Sequence, residues 1–254
     1  MTLKTILFAC FLLFGFVYTS VFAQQGSRDI TQKKITIIVT NKPLYDVFKI
    51  LMYRFDVPIG FEESALDSDH NDFYFQPNIP RFKPESFIDE PEQYRITETD
   101  HHLISLRFEN APLADVMKAI VSQMSNYDWR VMDGVINIFP TKGRNLKFER
   151  LLDVRISSFR LVKGDDVTWI QPRVLFETPE IQSFLKSHDL NAESDRFVPW
   201  YTERPLPTGA DFSNLTFREL LNGITKIKGG GWLLRSDKSK KPVKGQLESI
   251  EILL

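Results

Sequence analysis

Hydrophobic positions along the chain alternate and then switch to a helical period, and they do so twice. Residues 35–55 read ITIIVTNKPLYDVFKILMYRF, and residues 104–124 read ISLRFENAPLADVMKAIVSQM. The two stretches align without a gap at an offset of 69 residues. Ile35, Ile37 and Val39 alternate, as do Ile104, Leu106 and Phe108, which predicts strands with one buried face. Asn41-Lys42-Pro43-Leu44 is matched by Asn110-Ala111-Pro112-Leu113. Asn suits an N-cap, and Pro suits the first helical turn. Leu44, Val47, Phe48, Leu51 and Phe55 then recur at helical spacing. Leu113, Val116, Met117, Ile120 and Met124 repeat the pattern, giving one apolar face per helix. Asp46 and Asp115 stand in the first turns, where the helix dipole favours a carboxylate.

More strand follows each helix. Val57-Pro58-Ile59-Gly60-Phe61 comes after the first. After the second, Trp129-Arg130-Val131 and Val135-Ile136-Asn137-Ile138-Phe139 flank Asp133-Gly134, a hairpin signal. A third strand-helix-hairpin pattern spans residues 210–254. Asn214-Leu215-Thr216-Phe217 opens a helix whose apolar face is Phe217, Leu220, Leu221 and Ile224. Gly229-Gly230-Gly231 stops it, and Trp232-Leu233-Leu234 pairs with Ile250-Glu251-Ile252-Leu253. The expected fold class is α+β: small β-α-β repeats with two amphipathic helices packed on small sheets, plus a second, smaller α+β part.

A strand, then N-x-P-L-x-x-V on a helix, then a strand, repeated once and closed by an Asp-Gly hairpin, resembles the secretin and TonB short N-terminal domain. The resemblance covers residues 33–140, with an insertion at 65–102. It implies a small α+β periplasmic unit that docks on other envelope proteins and has no catalytic activity. The residues after 140 carry no series of alternating barrel strands, so the resemblance stops at the domain. Residues 141–254 form a second α+β region outside it. There Leu151-Leu152-Asp153-Val154-Arg155-Ile156 reads as a strand, and Thr178-Pro179-Glu180 opens a short helix with Ile181, Phe184 and Leu185 inside.

The amino terminus changes the picture of where this unit works. Lys4 is followed by an apolar run over residues 6–18, then Val21-Phe22-Ala23 and polar residues. This predicts a signal peptide, residues 1–23, cleaved after Ala23, and a periplasmic protein. The alternative is an N-terminal membrane anchor. The sole cysteine, Cys10, would leave with the signal, so the mature chain carries no thiol and no disulfide. The formal charge is −1, and −2 after cleavage, which does not point to nucleic acid. With 21 Phe, 7 Tyr and 4 Trp the chain is not disordered as a whole.

Charge is unevenly spread. Residues 62–100 hold eleven acidic and three basic side chains, and four prolines, which predicts an acidic surface loop. Lys226, Lys228, Arg235, Lys238, Lys240, Lys241 and Lys244 make the C-terminal hairpin basic. Phe197-Val198-Pro199-Trp200-Tyr201 belongs to an aromatic, Pro-rich connector. Trp200 and Tyr201 are the candidate partner-binding residues there, against the alternative that they pack over their own domain.

Chemistry-bearing motifs are sparse. There is no G-x-S-x-G, H-E-x-x-H, Walker loop or G-x-G-x-x-G. Asp67-Ser68-Asp69-His70-Asn71-Asp72 starts like a calcium loop but has Asp72 where Gly is needed and Asn78 where Glu is needed. Asp69, His70, Asp100 and His101 are the candidate metal ligands, should the ends of the insertion meet. His188 has no triad partner at a supporting spacing. No catalytic residue, no cofactor and no small-molecule substrate is assigned. The leading reading is a non-enzymatic docking module with an envelope protein as partner. One alternative is a periplasmic hydrolase or metal-dependent enzyme using the acidic insertion. The other is a structural homo-oligomer that pairs its acidic loop with a neighbour's basic hairpin.

Overall fold

The computed structural model describes residues 29–66, 103–164, 175–193, 209–237 and 248–253. Ten strands and five helices carry the argument. The first half comprises β1 (Lys34–Pro43), α1 (Leu44–Lys49), β2 (Ile59–Glu62), β3 (Leu103–Pro112), α2 (Leu113–Ser122), β4 (Tyr127–Met132) and β5 (Val135–Pro140). A linking helix, α3 (Leu146–Leu152), leads to the second half. This comprises β6 (Arg155–Leu161), α4 (Pro179–Ser187), β7 (Leu190–Glu193), β8 (Ala210–Thr216), α5 (Phe217–Lys228), β9 (Gly231–Asp237) and β10 (Glu248–Leu253). The protein is α+β.

Each half is the same module. β1 and β3 form an antiparallel ribbon, as do β6 and β8. In both ribbons the amide opening the second helix donates to the residue just before the first strand. Leu113 N–H reaches the Lys33 carbonyl, and Phe217 N–H the Val154 carbonyl, each at 2.8 Å. In both modules the first helix is followed by an aspartate with positive φ, Asp56 at 47° and Asp189 at 52°. In both, a three-stranded sheet follows: β4-β5-β2 in the first and β9-β10-β7 in the second.

The two sheets fuse through β2 and β9, which run parallel, into one six-stranded sheet of order β4-β5-β2-β9-β10-β7. The second module is turned over relative to the first. Ile59, Phe61, Ile136, Ile138 and Leu233 lie in one core with Leu44, Val47, Phe48 and Leu51 of α1 and Leu113, Val116, Met117 and Ile120 of α2. Trp232 and Leu234, from alternate positions of β9, lie in the other core with Phe217, Leu220, Leu221 and Ile224 of α5 and Ile181 and Leu185 of α4. Alternate residues of a strand point to opposite faces, so the two helix layers sit on opposite faces of the sheet. Each ribbon closes its own core on the far side, through Ile35, Ile37, Val39, Ile104 and Leu106 in one and Ile156, Phe159 and Leu161 in the other.

Three sequence expectations are corrected. Asn41 and Asn110 are not N-caps. The strands run on through them, and Pro43 and Pro112 hold the cap positions without a side-chain bond. The asparagines adopt φ of 48° and 49° at ribbon irregularities, and Asn214 in the second ribbon has φ of 53°. Asn tolerates this left-handed region better than most residues. The amides of Asn41 and Asn110 are taken by the hydroxyls of Ser105 and Thr36 across the ribbon, each at 2.9 Å. Second, Leu151 and Leu152 end α3 and the strand begins only at Arg155. Asn145 caps α3 by accepting from the Lys147 amide, and Phe148, Leu151 and Leu152 turn their apolar face into the second core. Third, Glu62 and Glu63 are not surface-loop residues but are buried, Glu62 within β2.

Other expectations match the structure. Asp133 and Gly134 form the β4-β5 turn with φ of 53° and 78°. α1 passes into a π turn, Ile50–Arg54, and the Lys33 ammonium donates to the Phe55 carbonyl at its end. A cation there suits the negative pole of the helix dipole. α5 begins with a capping box between Thr216 and Glu219 and stops at Gly229, φ 81°.

Candidate functional site

The densest polar site among the described residues is the joint between the modules. β2 and β9 bring it together, and α5 lies over it. Gly60 stands opposite Trp232 in the ladder, and a Cβ on Gly60 would fall 2.3 Å from the indole. Gly231 stands opposite Ile59, and a Cβ there would fall 2.3 Å from the Ile59 carbonyl oxygen and 2.7 Å from Met52 Sδ. Both glycines are there because the strands and the indole approach closely.

Polar groups seal the same seam. Arg218 of α5 donates to Glu62 of β2 at 2.5 Å, both side chains being almost wholly buried. The guanidinium carbon lies 5.9 Å from the Trp232 ring. Asn222, one turn further along α5, is the hub of the remaining bonds. Its Oδ1 accepts from Trp232 Nε1 at 2.9 Å and from Asn137 Nδ2 at 3.4 Å. Its Nδ2 donates to the Met132 carbonyl and to Asp133 Oδ2. A helix of the second module thus grips the hairpin of the first. Buried groups of this kind must be paired, because leaving one unpaired costs its full desolvation.

The chemistry of this site is cohesion. Glu62 and Arg218 answer each other at the seam, with both side chains buried. Among the described residues no group of three His, Cys, Asp or Glu side chains converges to hold a metal. The candidate ligands Asp69, His70, Asp100 and His101 lie outside the described residues, as do Trp200 and Tyr201, the N-terminal segment 1–23, the calcium-like stretch, all of the insertion beyond residue 66 and the lysines of the C-terminal loop. Among the described residues no helix is long and apolar enough to cross a membrane. His188 ends α4, with its ring stacked on Phe184 at 4.0 Å between centroids and Nδ1 3.0 Å from the Phe184 carbonyl oxygen. That is a helix-terminal contact.

Among the described residues, one face of each ribbon is turned outward. On the first, Thr36, Ile38 and Thr40 are exposed, Ile38 at 60%. On the second, Arg160 and Asp211 pair across the strands at 2.7 Å in the open. At the end of the second ribbon Glu180 accepts from the hydroxyl and amide of Ser157, which holds its carboxyl below the usual range. The sequence reading missed the joint altogether. Its one available signal was Gly60 inside a strand pattern, which marks a close backbone approach, whereas Gly231 reads as the end of the glycine run that stops the helix.

Comparison with protein-family models, with curated proteins and with solved structures returned no match.

Proposed function

We propose that the protein is an exported, non-enzymatic docking module of the cell envelope, acting in the manner of secretin and TonB short N-terminal domains. The observation that supports this is the repeated module itself. Each copy spends its apolar faces on its own core and leaves a ribbon as its outward surface. The inverted joint sends those two ribbons to opposite sides of one sheet. Such a body presents two separate surfaces and suits bridging two partners better than enclosing a substrate. Strand ribbons recognise partners through backbone pairing, with side chains setting the choice.

The test is photo-crosslinking in the native envelope, with the crosslinking residue placed at Ile38 on one ribbon or at Asp211 on the other. The reading expects one dominant envelope protein captured at Ile38 and lost on mutation of neighbouring Thr36 to Pro. Capture at neither ribbon, in protein shown to be exported and folded, overturns it.

A further inference from the structure

We propose that Met52 is a redox-sensitive latch of the joint: oxidation of its thioether to the sulfoxide by a peroxide parts β2 from β9, and reduction closes them again. Met52 belongs to the π turn that ends α1. Its sulfur covers Gly231, where β9 comes against β2. A Cβ on Gly231 would fall 2.7 Å from Met52 Sδ and 2.3 Å from the Ile59 carbonyl oxygen, so thioether and carbonyl close on the same point. The sulfur fills space that the missing side chain leaves.

Four methionines lie among the described residues, and their surroundings divide them. Met117 and Met124 are fully buried in the first core. Met52 and Met132 are partly exposed. Oxygen transfer to a thioether breaks the O–O bond of the peroxide and forms one S–O bond. Sulfur is oxidised, the peroxide is reduced, and with hydrogen peroxide the other product is water. The apolar thioether becomes a polar, hydrogen-bond-accepting group. At Met132 that group meets a donor, since Arg130 Nε already reaches the sulfur at 3.1 Å. At Met52 the sulfur's neighbour in the joint is another acceptor, the Ile59 carbonyl. A sulfoxide oxygen there meets like partial charge and has no room while Ile59 and Gly231 stay opposite each other in the ladder. Overpacking and an unpaired polar oxygen act in the same direction, against the joint. One oxidant therefore leaves β4 in place at Met132 and opens the seam at Met52.

The test treats the full chain with hydrogen peroxide under native conditions. Sulfoxides are located by peptide mass spectrometry, and opening is followed by amide hydrogen exchange. Oxidation is expected at Met52 and Met132 ahead of Met117 and Met124. Exchange should then rise by about tenfold or more over residues 59–62 and 231–234, as local opening of an overpacked joint requires, while the β1-β3 ribbon keeps its protection. Met132→Leu should respond as the parent does. Met52→Leu, which keeps the volume without the oxidisable sulfur, should show no rise. Methionine sulfoxide reductases acting on both epimers should restore the parent's exchange. The proposal is overturned if Met52 stays reduced in the folded chain while Met132 is oxidised. It is equally overturned if Met52 is oxidised in Met132→Leu with no rise at the joint, or if the rise survives in Met52→Leu. The latch does not rest on the docking reading.

Discussion

At the scale of single residues, the joint depends on two absent side chains and one ion pair. Gly231→Ala is expected to destabilise by about 1–3 kcal/mol, because its methyl meets a carbonyl oxygen that belongs to a paired strand. Gly60→Ala meets the Trp232 indole, which is itself tied to Asn222, and should red-shift tryptophan emission as the ring is displaced. Urea melts with fluorescence detection check both. For Glu62 and Arg218, either single change, Glu62→Gln or Arg218→Met, should cost roughly 3–5 kcal/mol by stranding a buried partner. The pair Glu62→Gln with Arg218→Met should cost clearly less than the two singles summed. An additive result in that cycle would mean the two groups do not act as a pair. Glu62 shows why the sequence was silent here. Glu63 follows it directly and its partner lies 156 residues away, so nothing local distinguishes it from the acids that follow.

At the scale of elements, local pattern and tertiary demand mostly agree. The helical faces of α1, α2 and α5 were legible because each buries one stripe at 3.6-residue spacing, and the β4-β5 turn because Asp-Gly accepts two positive φ values. The N-caps were misread because N-x-P admits two geometries. The ribbon needs an extra residue just before the helix, and asparagine serves that bend as readily as a cap. Residues 151–156 were misread because Leu-Leu followed by Val and Ile fits a strand, whereas the capped turn from Asn145 claims the leucines for α3. α5 offers a test of capping proper. Thr216→Ala should cost about 1 kcal/mol. The Thr216 amide and hydroxyl hold the Glu219 carboxyl below its ordinary value of 4.5. A carboxylate depressed in the folded state contributes stability above its unfolded value and loses it as pH falls through the folded one. Acid melts should therefore lose stability progressively below about pH 4.5, and Glu219→Gln should flatten that part of the curve.

At the scale of the whole molecule, the two modules share one sheet, and they are expected to unfold together in a single transition seen alike by tryptophan fluorescence and circular dichroism. Arg218→Met should split that transition into two, because it loosens the seam while leaving each core intact. One unbroken transition in that variant would show that the cores themselves are not separable. The α+β class was legible from alternation and period alone; the inversion of one module on the other was not, since no local pattern encodes which face a distant strand presents. The parallel pairing of β2 with β9 also sets an order of events during synthesis. β2 leaves the ribosome 156 residues before the arginine that answers its glutamate. At about 5–20 residues per second that is an interval of roughly 8–30 s. From the emergence of β5, which completes the first module, until β9 arrives, that module has its inner edge bare and Glu62 in water. A nascent chain therefore passes through a stage in which β2 is open to any passing strand, and holding that edge until β9 arrives is work for a chaperone or for rapid elongation.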